Sequence, residues 1–80
     1  MTRVEKAITA IAAEHCRATM IHEGRFASAH EGYAVLLEEV DELWDLVKMK
    51  KKSRPSGEML KEAIQVAAMA LRFATECCDD

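Results

Sequence analysis

The stretch Glu38-Glu39-Val40-Asp41-Glu42 places four carboxylates in five residues, inside a segment from Tyr33 to Val47 that otherwise reads as a buried helix. At about 100° of rotation per residue, Tyr33, Leu36, Val40, Leu43, Trp44 and Val47 form one apolar stripe. Glu39 falls on the flank of that stripe, and Glu38 and Glu42 fall further round. Glu42 is one turn from both Glu38 and Glu39. Like charges at that spacing destabilise an isolated helix by about 0.2–0.5 kcal/mol per pair. A sequence that keeps them either presents a solvated acidic face or holds a cation.

Working outward, Ser28-Ala29-His30-Glu31 reads as a capping box that starts this second helix near Ala29. Gly32 lies in its first turns. Glycine there costs up to ~1 kcal/mol relative to alanine, which marks close approach by another backbone or a ligand. Lys48, Lys50, Lys51 and Lys52 close the helix, where cations complement its dipole, with phosphate binding as the alternative role. Ser53-Arg54-Pro55-Ser56-Gly57 is the strong turn signal. Ser56 is the expected N-cap of a third helix. Residues 58–76 are apolar nearly all round, which suits the centre of a bundle or a subunit interface. On the other side, Thr2-Arg3-Val4-Glu5 is another capping box, and helix 1 runs from residue 3 to about 20. His22 to Ala27 is then a loop anchored by Phe26. His15 and His22 lie two turns apart if the helix continues. Two His alone make a poor metal site, so surface or helix-end roles are expected for them. The Cys77-Cys78-Asp79-Asp80 tail is expected to fray.

Eighty residues make one domain, residues 1–80. A chain this short buries only about 60% of the surface its unfolded form exposes, and oligomerisation is one way to bury more. The expectation is therefore an all-α protein: an antiparallel helical bundle of about three helices per chain, completed by oligomerisation. Net charge is −3, with six acids and no base over residues 31–45 and five bases and no acid over residues 48–54. That balance argues against nucleic-acid affinity, which needs a basic face. Three cysteines, two of them adjacent, make no disulfide framework and suit a reducing cytoplasm. Neither a secretion signal nor a membrane span is read, since the apolar run Val66 to Leu71 is far short of the ~20 residues that cross a bilayer.

The short turn between helices 2 and 3 implies antiparallel packing. Glu39 and Glu42 would then face Glu62 and Gln65, each pair one turn apart, as an oxygen cage suited to Mg2+ or Mn2+. A carboxylate-bridged di-iron bundle needs Glu-x-x-His pairs, and no Glu here is followed three places on by His. No Gly-rich phosphate loop, H-E-x-x-H or nucleophile elbow occurs.

Glu38-Glu39-Val40-Asp41-Glu42, followed after the basic turn by Glu62-Ala63-Ile64-Gln65, resembles the E-E-x-x-E … E-x-x-D signature of the MazG-like all-α NTP pyrophosphatases. Ser28 to Ala34 before the first motif and Gln65 to Ala70 after it look like small phage and mobile-element members of that group. The resemblance spans roughly residues 20–76. It implies hydrolysis of an NTP or dNTP to the monophosphate and pyrophosphate by a homodimer or homotetramer. It also implies Mg2+, with Mn2+ as an alternative, held by Glu39, Glu42 and Glu62. Glu38 would orient the attacking water or serve a second metal. Gln65 stands where the family pattern has Asp. It can ligate through its carbonyl oxygen without adding charge, act from further out, or mark lost activity. Lys48, Lys61 and Arg72 are the expected triphosphate contacts, from a wider set that includes Lys51, Lys52 and Arg54. Trp44 is expected in the core rather than stacked on a base. Some relatives carry a further helix, which a partner subunit would replace, so that the nucleotide pocket lies between subunits. The alternative reading is a non-catalytic helical module that oligomerises or binds nucleotide without turnover.

Overall fold

The computed structural model describes residues 1–21 and 24–78. His22 and the Asp79-Asp80 tail lie outside the described residues. Three α-helices and one short 3-10 turn account for the secondary structure: α1 (Arg3–Ile21), α2 (Ala29–Val47) and α3 (Ser56–Glu76), with the turn at Lys51–Ser53. No strand occurs among the described residues, and no helix is long and apolar enough to cross a membrane.

The helix starts follow the local chemistry. The Thr2 N–H donates to Glu5 Oε1 at 2.9 Å and the Glu5 N–H donates to Thr2 Oγ1 at 3.0 Å, a reciprocal capping box. The Glu31 N–H donates to Ser28 Oγ at 3.1 Å, while the Glu31 carboxylate accepts from the Ala27 N–H, one residue earlier than in the reciprocal form. The third start differs from expectation: Pro55 is the N-cap, Ser56 is already helical, and no side chain caps the end. Pro55 has extended backbone (φ −80°, ψ 96°) and offers its carbonyl to the Met59 N–H at 2.9 Å. At the end of α2, Lys48 forms the cap and pairs with Asp45 at 3.1 Å. The cation that reaches the helix-end carbonyls is instead Arg54. Its Nε donates to Val47 O at 2.8 Å and Met49 O at 3.0 Å, folding the basic turn back on itself.

Helix α3 packs against both α1 and α2, which do not pack against each other among the described residues. The start of α2 meets the end of α3, because Gly32 lies against Phe73 and Cys77. The second half of α2 meets the first half of α3 at Glu42 and Glu62. These two helices are therefore antiparallel. Helix α1 runs parallel to α3, with Glu14 level with Gln65. The apolar-all-round sequence of α3 is explained by this central position.

The packed face of α2 is not the stripe read from the sequence. Gly32 is buried, and Val35, Leu36, Glu39, Leu43, Leu46 and Val47 are half-buried. Tyr33 is 60% exposed and Trp44 57%, with Leu37 and Val40 at 40% each. Trp44 is not a core residue. The helix is turned so that Gly32 faces α3. A Cβ at Gly32 would lie 2.9 Å from Phe73 Cδ2, 3.0 Å from Phe26 Cδ2 and 3.1 Å from Cys77 Sγ. Gly32→Ala is therefore expected to destabilise the protein. Overpacking costs about 1–3 kcal/mol, against at most ~1 kcal/mol gained in helix propensity. A lower urea midpoint at unchanged slope would show it, and a raised midpoint would disprove the tight contact.

Ala18, Ala68 and Met69 are the buried apolar residues and Arg72 the buried charged one among the described residues. Arg72 Nε donates to Glu76 Oε2 at 2.8 Å, and its guanidinium lies 3.8 Å from the centre of the Phe26 ring. The Phe26 N–H donates to Glu76 Oε1 at 2.7 Å, and Arg25 donates to the Glu76 carbonyl at 2.6 Å. Phe26 anchors the α1–α2 connection as expected, through a charged clamp rather than burial alone. All three cysteines are thiols.

Candidate functional site

Antiparallel packing of α2 on α3 converts the sequence spacing into a cluster. Glu39, Glu42 and Glu62 each offer a carboxylate oxygen, and these oxygens lie within 4.8 Å of one another. Glu39 sits in the packed face of α2 rather than on its flank. Burial, then the charges of Glu42 and Glu62, push its carboxyl up to about 7. Burial and the adjacent Glu42 also raise Glu62, against the opposing charge of Lys61. Glu62 Oε2 is buried with no hydrogen-bond partner. Leaving a buried acceptor unsatisfied costs about 1–3 kcal/mol, and more when it is charged. Three converging carboxylates with one open buried oxygen are hard-oxygen donors of the kind that take Mg2+ or Mn2+. The residues fit such an ion, with Glu39, Glu42 and Glu62 as its holders.

Beside this cluster runs a groove of about 670 Å3, walled by α1 and α2 and floored by α3. Glu38 and Glu39 line it from α2, Glu14, Arg17 and Ile21 from α1, and Gln65, Met69 and Arg72 from α3. Arg25 and Phe26 close one end. The wall opposite α2 comes from α1 of the same chain, where the sequence reading placed a partner subunit.

Gln65 is held by α1. Its Nε2 donates to Glu14 Oε1 at 2.7 Å. A carboxylate only accepts, so the amide nitrogen must face Glu14 and the carbonyl oxygen must face elsewhere. Glu14 also takes a two-pronged contact from Arg17, with Nε to Oε2 at 3.1 Å and Nη2 to Oε1. The Arg17 hydrogen bond, with Gln65 and Lys61 assisting against burial, keeps the Glu14 carboxyl below the usual range. Sequence reasoning missed Glu14, Arg17 and Arg25. The acid and base three residues apart on α1 gave a local signal, but nothing in the spacing placed them opposite Gln65.

The expected triphosphate contacts are scattered. Arg72 lines the groove with its Nε engaged by Glu76. Lys61 is exposed beside Glu62, close enough to influence both Glu62 and Glu14. Lys48 is exposed and paired with Asp45, away from the groove lining. His15 is half-buried, and its Nε2 has no hydrogen-bond partner. Comparison with protein-family models, curated proteins and solved structures found no match for this chain.

Proposed function

We propose that this chain is a Mg2+-dependent nucleoside triphosphate pyrophosphohydrolase, acting in the cytoplasm as a homo-oligomer of helical subunits. The observation that carries the reading is the meeting of Glu39, Glu42 and Glu62, with a buried oxygen of Glu62 left open. The resemblance of the two acidic motifs to those of MazG-like enzymes supports it.

In this reading Glu39, Glu42 and Glu62 hold the ion. When bound, Mg2+ supplies charge neutralisation at phosphate oxygens and lowers the pKa of a coordinated water. Glu38, adjacent to Glu39 and on the groove, accepts the proton of the attacking water. The α–β phosphoanhydride bond then breaks, giving the monophosphate and pyrophosphate. Arg17 and Arg72 bring positive charge into the groove, and Lys61 brings it beside Glu62. The apolar lining from Ile21, Val35, Phe26 and Met69 gives the nucleoside a surface to lie on. Gln65, oriented by Glu14, supports the site from the groove wall without adding charge.

A second reading rests on Gln65 itself. With an amide in place of the acid of the family pattern, the fold would bind nucleotide without turnover. The purified protein, incubated with each of the eight common NTPs and dNTPs plus Mg2+, separates the two. Pyrophosphate, rather than orthophosphate, is expected from one or a few of them. Orthophosphate release would overturn the reaction class. Silence across all eight, with Mn2+ as well, would favour the non-catalytic reading.

A further inference from the structure

The outer face of α2 carries an apolar stripe that nothing in the chain covers. Tyr33, Leu37, Val40 and Trp44 are the exposed large side chains there. At ~100° per residue they share an arc of about 60°. Their spacing of four, three and four residues reads the same in both directions, with an aromatic at each end and aliphatics in the middle. Such a stripe is complementary to an antiparallel copy of itself. Setting Leu37 against Val40 of a second chain also sets Tyr33 against its Trp44, and the two-fold repeats both contacts. Self-complementarity of this kind is what a two-fold interface requires.

Surface area points to the same occupant. The chain exposes 5940 Å2. A compact monomer of its 9.0 kDa mass exposes roughly 4,900 Å2, so the excess is about 1,100 Å2. A standard interface covers about 800 Å2 per partner. The stripe alone is narrow, but the exposed alanines Ala63, Ala70 and Ala74 of α3 lie on the side of the α2–α3 pair away from the groove and extend the same face. Small residues there let a second pair of helices approach closely. Charge is compatible as well. Glu38, Glu39 and Glu42 all lie ~130° or more round α2 from the stripe, so pairing keeps the two acidic clusters apart.

We infer that this face is a two-fold interface between copies of the chain, giving a four-helix layer of two α2–α3 pairs with α1 and the groove outward on each side. The inference stands on geometry and area, and holds or fails independently of any activity.

Sedimentation equilibrium of the full chain tests it. A mass twice that of the chain is expected at micromolar concentration. Trp44 is the sole tryptophan, so dilution should shift its emission to the red as the dimer dissociates. Leu37→Asp and Val40→Lys, both at positions exposed in the single chain, should each give a folded monomer by circular dichroism. Mixing the two variants should restore a dimer, because Asp at 37 then meets Lys at 40. A monomeric wild-type chain, or variants that remain dimeric, would overturn the inference. Folded variants that stay monomeric when mixed would overturn the register.

Discussion

Glu39→Gln is expected to stabilise the metal-free protein at pH 8 while lowering pyrophosphate release about 10³-fold, or roughly 4 kcal/mol of transition-state stabilisation. The two effects have one cause. Burial and the neighbouring Glu42 and Glu62 hold the Glu39 carboxyl up to about 7. The folded chain therefore keeps a proton that the unfolded chain, near the ordinary value of 4.5, has already lost. For a group raised in this way the stabilising contribution is full below about pH 4.5 and fades as pH rises through about 7. Wild-type protein without metal should thus lose stability across that window, and the variant should lose much less. Added Mg2+ should reverse the loss for wild type, since a ligand of the native state raises apparent stability. It should do little for Glu39→Gln. The Mg2+-induced shift in Tm should also grow as pH rises through 7, because the ion competes with the proton. Thermal melts at pH 5 and pH 8, with and without 5–10 equivalents-scale excess of Mg2+ over its midpoint (about tenfold), give all four comparisons. A destabilised variant at pH 8, or a wild type indifferent to Mg2+, would mean that the cluster is a solvated acidic face.

Helix existence and boundaries were legible because their signals are local. Two capping boxes fixed the starts of α1 and α2, and the Pro-Gly turn separated α2 from α3. The convergence of Glu39, Glu42 and Glu62 was legible as well, because one short turn and antiparallel packing suffice to bring those positions together. The facing of α2 was not. Two adjacent arcs of that helix are apolar, and periodicity cannot say which one packs. The choice falls to Gly32, whose missing side chain admits Phe73 and Phe26 and turns Tyr33 and Trp44 outward. That rotation also draws Glu39 into the packed face, which is why its carboxyl is perturbed while the sequence placed it on a flank. Contacts between α1 and α3 were beyond reach for the same reason. The Gln65–Glu14 hydrogen bond spans 51 positions, and no local rule encodes its register. Arg54 shows a milder case. Lysines next to a helix end suggest dipole complementarity, yet the carbonyls are met by the residue that the turn geometry folds back.

Arg72→Met is expected to bring the fold to the edge of unfolding. Arg72 is 6% exposed, and the side chain of its partner Glu76 is 12% exposed. Removing one member of a buried pair leaves the other charge uncompensated, a loss of about 3–5 kcal/mol. The guanidinium stacked on Phe26 adds a desolvated cation–π contact of up to about 2 kcal/mol. A chain of this length has about 4–12 kcal/mol of stability in all. Glu76 also accepts the Phe26 N–H, so its displacement would release the α1–α2 connection from the end of α3. Burial raises the Glu76 carboxyl, but Arg72, the Phe26 N–H and Arg25 together outweigh it and hold the group below its ordinary value. A depressed carboxyl contributes stability above about pH 4.5 that is lost as pH falls through the folded value. Wild type should therefore weaken on acidification through this pair, and Arg72→Met should show a shallower dependence from a lower start. Pairing Arg72→Met with Glu76→Gln separates charge from packing. If the double variant recovers stability relative to Arg72→Met, the damage came from the stranded carboxylate. If it recovers nothing, the stack on Phe26 dominates. A loss under about 1 kcal/mol for Arg72→Met in urea would place the pair with ordinary surface ion pairs, and the clamp would then not be what holds the first connection to the third helix.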